Sequence, residues 1–211
     1  MIVNFNEYIS KYHGKVDGWC SIDKATNLAR IILQTKPELC VEIGVFGGSS
    51  LIPQALALQE NNNGIIVGID PWTKDAALEE MSNNDNKSWW SSLDYNQIYK
   101  KLISIIKQFE LDDFVDLIKD KSENVVDNFK NESIDILHID GNHCEALAYK
   151  DSVNYFPKVK MGGYIFFDDI SWREDPEIIS TKKGLDYLKQ YCEQVYIVGD
   201  CIILKKTSKE V

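Results

Sequence analysis

The chain has 211 residues, 44% of them hydrophobic and 27% charged, with a formal net charge of -10, the composition of one folded domain with a sizeable core. That charge argues against a nucleic-acid binder, whose affinity comes from Lys and Arg neutralising phosphates, and no apolar run approaches the roughly 20 residues of a membrane helix. The opening Met1-Ile2-Val3-Asn4-Phe5-Asn6-Glu7 lacks a basic region followed by a long apolar core. No secretory signal is therefore visible, and a soluble cytoplasmic protein with a small-molecule partner, needing neither nucleic acid nor membrane, is expected.

No repeat, low-complexity linker or domain boundary interrupts residues 1–211, and strand and helix patterns alternate along them. Residues 22–35 carry Ile22, Ala25, Leu28, Ala29, Ile32 and Leu33 at a helical period, closed by Lys36-Pro37. They complete an N-terminal helical cap over residues 1–35. Leu39 to Ile43 reads as the first strand, Ser50 to Glu60 as a helix, Ile65 to Asp70 as a strand and Tyr95 to Phe109 as a longer helix. Phe114 to Ile118 is the third strand. A short helix near Asn124 to Phe129 leads to the fourth strand at Ile134, and a helix over Cys144 to Phe156 leads to the fifth at Tyr164. After a helix around Gly184 to Cys192, only Gly199-Asp200 separates Val195–Val198 from Cys201–Leu204, so these two strands form a hairpin. Strands alternating with helices imply right-handed parallel crossovers. The expected fold is α/β: a doubly wound, mostly parallel sheet of about seven strands with a C-terminal antiparallel hairpin.

Cys20, Cys40, Cys144, Cys192 and Cys201 are odd in number and form no Cys-x-x-Cys pair, which argues against disulfides and a zinc site. Cys40 and Cys201 lie within strand-like runs as small hydrophobes.

Two strands run straight into carboxylates: Ile134-Asp135-Ile136-Leu137-His138-Ile139-Asp140-Gly141-Asn142-His143 and Gly162-Gly163-Tyr164-Ile165-Phe166-Phe167-Asp168-Asp169. Open α/β sheets bind ligands outside the carboxyl ends of their strands, so Asp140, Asp168 and Asp169 are placed to converge. Clustered carboxylates repel one another, and hard oxygen ligands suit Mg²⁺, Ca²⁺ or Mn²⁺. The alternative is that Asp168 and Asp169 cap a turn or helix. The turn after the first strand, Gly44-Val45-Phe46-Gly47-Gly48-Ser49-Ser50, is glycine-rich and opens a helix, where backbone approaches a ligand closely and free amides face it. Its spacing matches neither Gly-x-Gly-x-x-Gly nor a phosphate loop. Asp70, at the end of the second strand, is placed to receive the ribose hydroxyls of an adenosine group, although an Asp-Pro turn also has purely local causes.

Glu42 to Ser50, Gly68-Ile69-Asp70-Pro71-Trp72, His138 to His143 and Gly162 to Asp169 together resemble a class I S-adenosylmethionine-dependent methyltransferase of Rossmann-like fold, over roughly residues 18–206. The Ile-Asp-Gly-Asn-His and Gly-Gly-x-x-x-x-Asp-Asp segments resemble the metal-dependent O-methyltransferase branch of macrolide-sugar and catechol type. The resemblance implies a cofactor site with Gly44, Phe46 and Ser50 along the methionine part, Asp70 at the ribose, Ser122 and Glu123 beside adenine and Trp19 as a cover, with Glu42, Gly48 and Asp140 as further cofactor contacts. It implies metal ligation by Asp140, Asp168 and Asp169. Catechol-type members have Asp then Asn at the last two positions, so Asp169 favours the sugar-modifying relatives.

His143, three residues past Asp140, is the expected general base; Asp140 as base, or His143 as a positioning group, are the alternatives. His138, inside a strand, reads as a core residue, and His13 has no supporting context. The stretch 72–99 is longer than a connection needs and holds Trp89 and Trp90, which suits a lid or acceptor-binding insert. Trp89, Trp90 and Trp172 are candidate substrate contacts; a core or dimer role for the tryptophans stays open, as does a homo-oligomer. The expected function is methyl transfer to a hydroxyl of a sugar or glycosylated metabolite. A non-catalytic S-adenosylmethionine-binding or assembly protein, a hydroxylase-associated relative and a nicotinamide-dependent oxidoreductase are the rivals.

Overall fold

The computed structural model describes residues 3–173 and 175–209. At its centre, β1 (Leu39–Ile43), β2 (Ile65–Ile69), β3 (Val115–Ile118), β4 (Ile134–Ile139), β5 (Val159–Phe167), β6 (Cys192–Val198) and β7 (Cys201–Lys206) form one sheet in the order β3-β2-β1-β4-β5-β7-β6. The first five strands pair in parallel, and β7 runs antiparallel to both β5 and β6. This is the expected doubly wound sheet with its C-terminal hairpin. The helices are α1 (Val3–Lys11), α2 (Ile22–Thr35), α3 (Leu51–Asn61), α4 (Lys74–Ala77), α5 (Asn84–Ser91), α6 (Tyr95–Gln108), α7 (Ser122–Val125), α8 (Glu145–Tyr155) and α9 (Lys182–Lys189). No helix among the described residues is long and apolar enough to cross a membrane.

Alternation along the strands feeds two cores. Cys40, Ile136, Phe166 and Ile203 pack with Leu28 and Ile32 of α2, α3 and Leu102 of α6. Their neighbours Val41, Leu137, Ile165 and Ile202 pack with Tyr155 of α8 and Leu188 of α9 on the other face. Period two in the strands therefore decides which helix each residue meets.

Helix starts follow local chemistry. Ser21 Oγ accepts the Lys24 N–H at 3.1 Å to cap α2, and Asp94 Oδ1 accepts the Gln97 N–H at 3.0 Å to cap α6, each satisfying an amide that the first turn leaves without a partner. Lys36 closes α2 in the left-handed conformation, one residue before Pro37.

Some boundaries differ from the sequence expectation. β5 begins at Val159, not Tyr164, because a bulge around Gly162-Gly163 lets Val159 pair with Ile134 before Tyr164 pairs with Ile136; such extra residues are invisible to an apolar-run criterion. The last helix stops at Lys189, and Cys192 already belongs to β6. Within 72–99, α4 and α5 fold as short capped helices.

Phe166 lies fully buried at the centre of the first core, whereas Val195 on the edge strand β6 is 43% exposed. Phe166→Ala should cost about 3–5 kcal/mol in urea denaturation, while Val195→Ala should stay within about 0.5 kcal/mol; equal losses would contradict this assignment of faces.

Candidate active site

The order of the sheet reverses between β1 and β4, which leaves a crevice at the carboxyl ends of the strands. Register fixes what projects there. Glu42 of β1 pairs with His138 of β4, and His138 pairs with Phe166 of β5, so all three share the face that carries α2 and α3. Two residues further along each chain, Asp140 and Asp168 continue that row past the strand ends.

A buried polar seam results. Glu42 accepts hydrogen bonds from Ser50 Oγ at 2.8 Å and Gln54 Nε2 at 2.5 Å, and lies 3.3 Å from His138 Nδ1. His138 Nε2 reaches Asp168 Oδ2 at 2.9 Å. The Lys24 ammonium, from the first turn of α2, contacts the same Asp168 oxygen and lies 3.4 Å from Asp140 Oδ2. Burial alone would lower the His138 pKa, but the charge of Glu42 and the hydrogen bond to Asp168 raise it to about 9. Burial likewise opposes ionisation of Asp168, yet His138 and Lys24 bring it down to about 2. Burial and the neighbouring Asp168 push Asp140 upward against the pull of Lys24.

Above this seam opens a cavity of about 880 Å³. The segment Gly18–Ser21 forms one rim, the turn Gly44–Phe46 with Ser49 and Ser50 the floor, and Asp70 with Ser122 and Glu123 one end; Asp140, His143, Asp168, Asp169 and Trp172 form the other, and Trp89 and Trp90 reach in from the 72–99 insert. Two expected cofactor residues lie elsewhere. Glu42 sits beneath the floor, committed to Ser50, Gln54 and His138. Gly48, at φ +88°, turns its α-carbon toward α6, where a Cβ would meet Leu102 Cδ1 at 2.5 Å.

The floor turn is held by Asp70. Its Oδ2 accepts the Val45 and Phe46 amides at 3.1 and 2.9 Å, and its Oδ1 accepts the Trp72 amide at 2.7 Å. Burial raises the Asp70 pKa, and the three backbone donors oppose the rise. Trp72 Nε1 donates to the Phe46 carbonyl at 2.7 Å. These bonds hold Phe46 and Trp72 at φ +49° and +45°, a conformation that costs a non-glycine residue about 1–3 kcal/mol. At Gly44, φ is +84° and a Cβ would lie 2.0 Å from the Asp140 carbonyl oxygen, so only glycine lets β1 and β4 meet beneath the cavity.

His143 Nε2 lies 3.1 Å from Asp169 Oδ2, and its ring packs 5.0 Å from that of Trp172. Across the cavity Trp19 stacks on Phe46 at 5.6 Å and 20°, beside Trp89 and Trp90. The expected metal set is divided. Asp140, His143 and Asp169 have ligand atoms within 4.8 Å of one another, but Asp168 faces His138 and Lys24, and the Lys24 ammonium bridges Asp168 and Asp140. A divalent ion joining all three carboxylates would have to share that position with an ammonium group, so Asp140, Asp168 and Asp169 do not fit the group in this arrangement.

A family model described as a methyltransferase domain matches residues 41–170, more than half of the chain. The chain belongs to this methyltransferase family. A curated relative, uncharacterised protein R132 of Acanthamoeba polyphaga mimivirus, is 32% identical over 140 residues, covering 66% of this chain and 55% of that protein; the chain thus spans about half the length of this relative. The fold of the methyltransferase is shared with an O-methyltransferase from Bacillus cereus in complex with S-adenosylhomocysteine (16% identity, TM-score 0.66, 98% of this chain and 91% of that one). It is shared as well with the O-methyltransferase TomG from Streptomyces achromogenes in complex with S-adenosylmethionine (14%, 0.64, 98% and 90%) and the S-adenosylhomocysteine-bound Podospora anserina methyltransferase PaMTH1 (15%, 0.63, 99% and 87%). This is the class I methyltransferase fold that the sequence motifs implied.

The sequence reading assigned no role to several residues that build the methyltransferase site. Lys24 and His138 complete the seam. Trp72 locks the floor. His13 Nε2 pairs with the Cys20 carbonyl at 2.6 Å and so ties the Gly18–Ser21 rim to the N-terminal helices. Asp151, whose pKa burial raises to about 6, receives the Ser122 hydroxyl at 2.5 Å beside the expected adenine end. One signal was available: Lys24 is in phase with Leu28 and Ile31 on the buried side of α2.

The raised His138 pKa gives the methyltransferase a pH signature. A group whose pKa rises on folding from 6.5 to about 9 stabilises the fold fully below 6.5 and loses that contribution as the pH climbs through 9. Urea stability should therefore fall by up to about 3 kcal/mol between pH 6.5 and 9. His138→Gln should flatten the profile over that window, and an unchanged slope would contradict a charged His138.

Proposed function

We propose that this methyltransferase transfers the methyl group of S-adenosylmethionine to a hydroxyl oxygen of a small acceptor, a sugar or glycosylated metabolite. One observation carries the reading. One cavity is lined by Asp70, Ser122 and Glu123, which follow β2 and β3, and by the His143–Asp169 pair, which follows β4 and β5, so a nucleoside at the first group would leave the second to a nucleophile.

In the reaction the S–CH₃ bond breaks as an O–CH₃ bond forms, and the hydroxyl must lose its proton. His143 is suited to take it. With Nε2–H directed to the Asp169 carboxylate 3.1 Å away, Nδ1 is the basic nitrogen, and Asp169 stabilises the imidazolium that forms. Asp140 is already engaged by Lys24, which favours His143 as the base. Lys24 stands between Asp140 and Asp168, and the proton transfer runs through His143 and Asp169 alone.

The acceptor class follows from the walls. Trp172 lies beside His143 on one side, and Trp19, Trp89 and Trp90 form a cluster on the other; flat aromatic faces suit the C–H faces of a sugar ring, while Asn142 and Asp200 on the same lining offer polar partners for hydroxyls. The 72–99 insert, with its two short helices, is the lid that completes this wall.

Calorimetric titration should show S-adenosylmethionine binding to wild type, with affinity about 10- to 100-fold weaker for Asp70→Asn. In an acceptor screen of glycosides, free sugars and catechols, glycosides should be methylated best. His143→Ala should keep cofactor affinity and lose about 10²–10⁴-fold in turnover. A folded wild-type protein that binds no S-adenosylmethionine would sink the reading, and preferential turnover of catechols would overturn the acceptor assignment.

A further inference from the structure

Lys24 is in an unfavourable place unless something offsets it. It occupies the third position of α2, where the helix dipole favours acidic rather than basic side chains, and its backbone amide is fixed by the Ser21 cap. Only 5% of the residue is exposed, and an isolated buried ammonium is costly. What compensates is the pair of carboxylates at the ends of β4 and β5, Asp140 and Asp168.

Those two carboxylates are also two of the three that a divalent centre would need. Mg²⁺ holds its oxygen ligands at about 2.0–2.1 Å and Ca²⁺ at about 2.3–2.6 Å, so an ion bound to Asp140 Oδ2 and Asp168 Oδ2 would occupy the space of Lys24 Nζ and repel its charge. The ammonium also completes a run of contacts along the seam, from Glu42 to His138, His138 to Asp168, Asp168 to Lys24 and Lys24 to Asp140. A second cation between Asp168 and Asp140 would break it.

We propose that Lys24 is a built-in cation standing where a divalent ion would bridge Asp140 and Asp168, so that this centre operates without a metal ion and acquires a divalent site only when the lysine side chain is removed. Lys24 is a positioning residue in this scheme: it neutralises the two strand-end carboxylates and leaves the His143–Asp169 pair to handle the proton. The role of the centre rests on the methyl-transfer reading, but the exchange of one cation for another does not need turnover to be seen.

The test uses the full chain, stripped with chelator and titrated with Mn²⁺ while the free-ion paramagnetic resonance signal is followed, for wild type, Lys24→Met, Lys24→Gln and Lys24→Met combined with Asp168→Asn. Wild type should show no stoichiometric binding below millimolar Mn²⁺. Lys24→Met and Lys24→Gln should each bind one Mn²⁺ per chain at least about tenfold more tightly than wild type, with a melting temperature that rises on adding Mn²⁺, and the double variant should lose this gain. Wild type binding one equivalent at micromolar Mn²⁺, through Asp140, Asp168 and Asp169 or through Asp140, His143 and Asp169, would overturn the proposal whether or not the variants fold. So would folded lysine variants with no gain in affinity. Cofactor calorimetry on the same wild-type sample reports separately on methyl transfer, because S-adenosylmethionine binding can fail while the manganese result stands, and the reverse.

Discussion

The chain of alternating charge running from Glu42 through His138, Asp168 and Lys24 to Asp140 is the constraint on which the rest of the site depends. Each member lies where an unpaired charge would be expensive, and each is paired on at least one side. Removing one partner from such a buried set typically costs about 3–5 kcal/mol, because it strands the other. The seam also ties together elements far apart in sequence: β1, β4 and β5 meet through backbone pairing, but α2 reaches the strand ends through an ammonium group. Helix α2 is therefore joined to the carboxyl end of the sheet, and Gly18–Ser21, immediately before α2, is positioned as a cavity rim by the same anchor.

The opposite end of the cavity is organised by a different device. There Asp70 spends its carboxylate on the amides of Val45, Phe46 and Trp72, and the Trp72 indole returns a hydrogen bond to the Phe46 carbonyl. A loop with two non-glycine residues at positive φ is thereby fixed before any ligand arrives, so the ordering cost is met in folding rather than in binding. The 72–99 insert completes the wall with two short helices and with Trp89 and Trp90.

Much of this was legible in the sequence because it depends on local pattern. Apolar runs ending in Asp70, Asp140 and Asp168 marked both the strands and the rim of the sheet, and the two-residue link Gly199-Asp200 required the hairpin. What was not legible depends on register. His138 looked like an ordinary core histidine within Ile136-Leu137-His138-Ile139, and Glu42 like a cofactor contact, until the pairing of β1 with β4 set them side by side. Lys24 could be seen to fall on the apolar stripe of its helix, yet nothing local says which carboxylates it meets more than a hundred residues away. The metal expectation came from three acids considered without that lysine. The Gly162-Gly163 bulge was missed for the same kind of reason, since extra residues in a strand are defined only by the partner they fail to oppose.

The seam also bears on the charge balance of methyl transfer. S-adenosylmethionine carries a sulfonium cation, and the charge disappears as the methyl group leaves for an anionic oxygen. A chain with net charge -10 and a cavity lined by Asp70, Glu123, Asp140, Asp151, Asp168 and Asp169 attracts such a cation. Attraction that is equal or stronger in the ground state does not speed the chemical step, because only interactions that strengthen toward the transition state do so. A strongly negative field at the sulfonium would hold the reactant more than the transition state, and it would also oppose formation of the attacking alkoxide. Lys24 and His138 offset that field at the ends of β4 and β5, whereas the Asp70 carboxylate is committed to the backbone amides of Val45, Phe46 and Trp72.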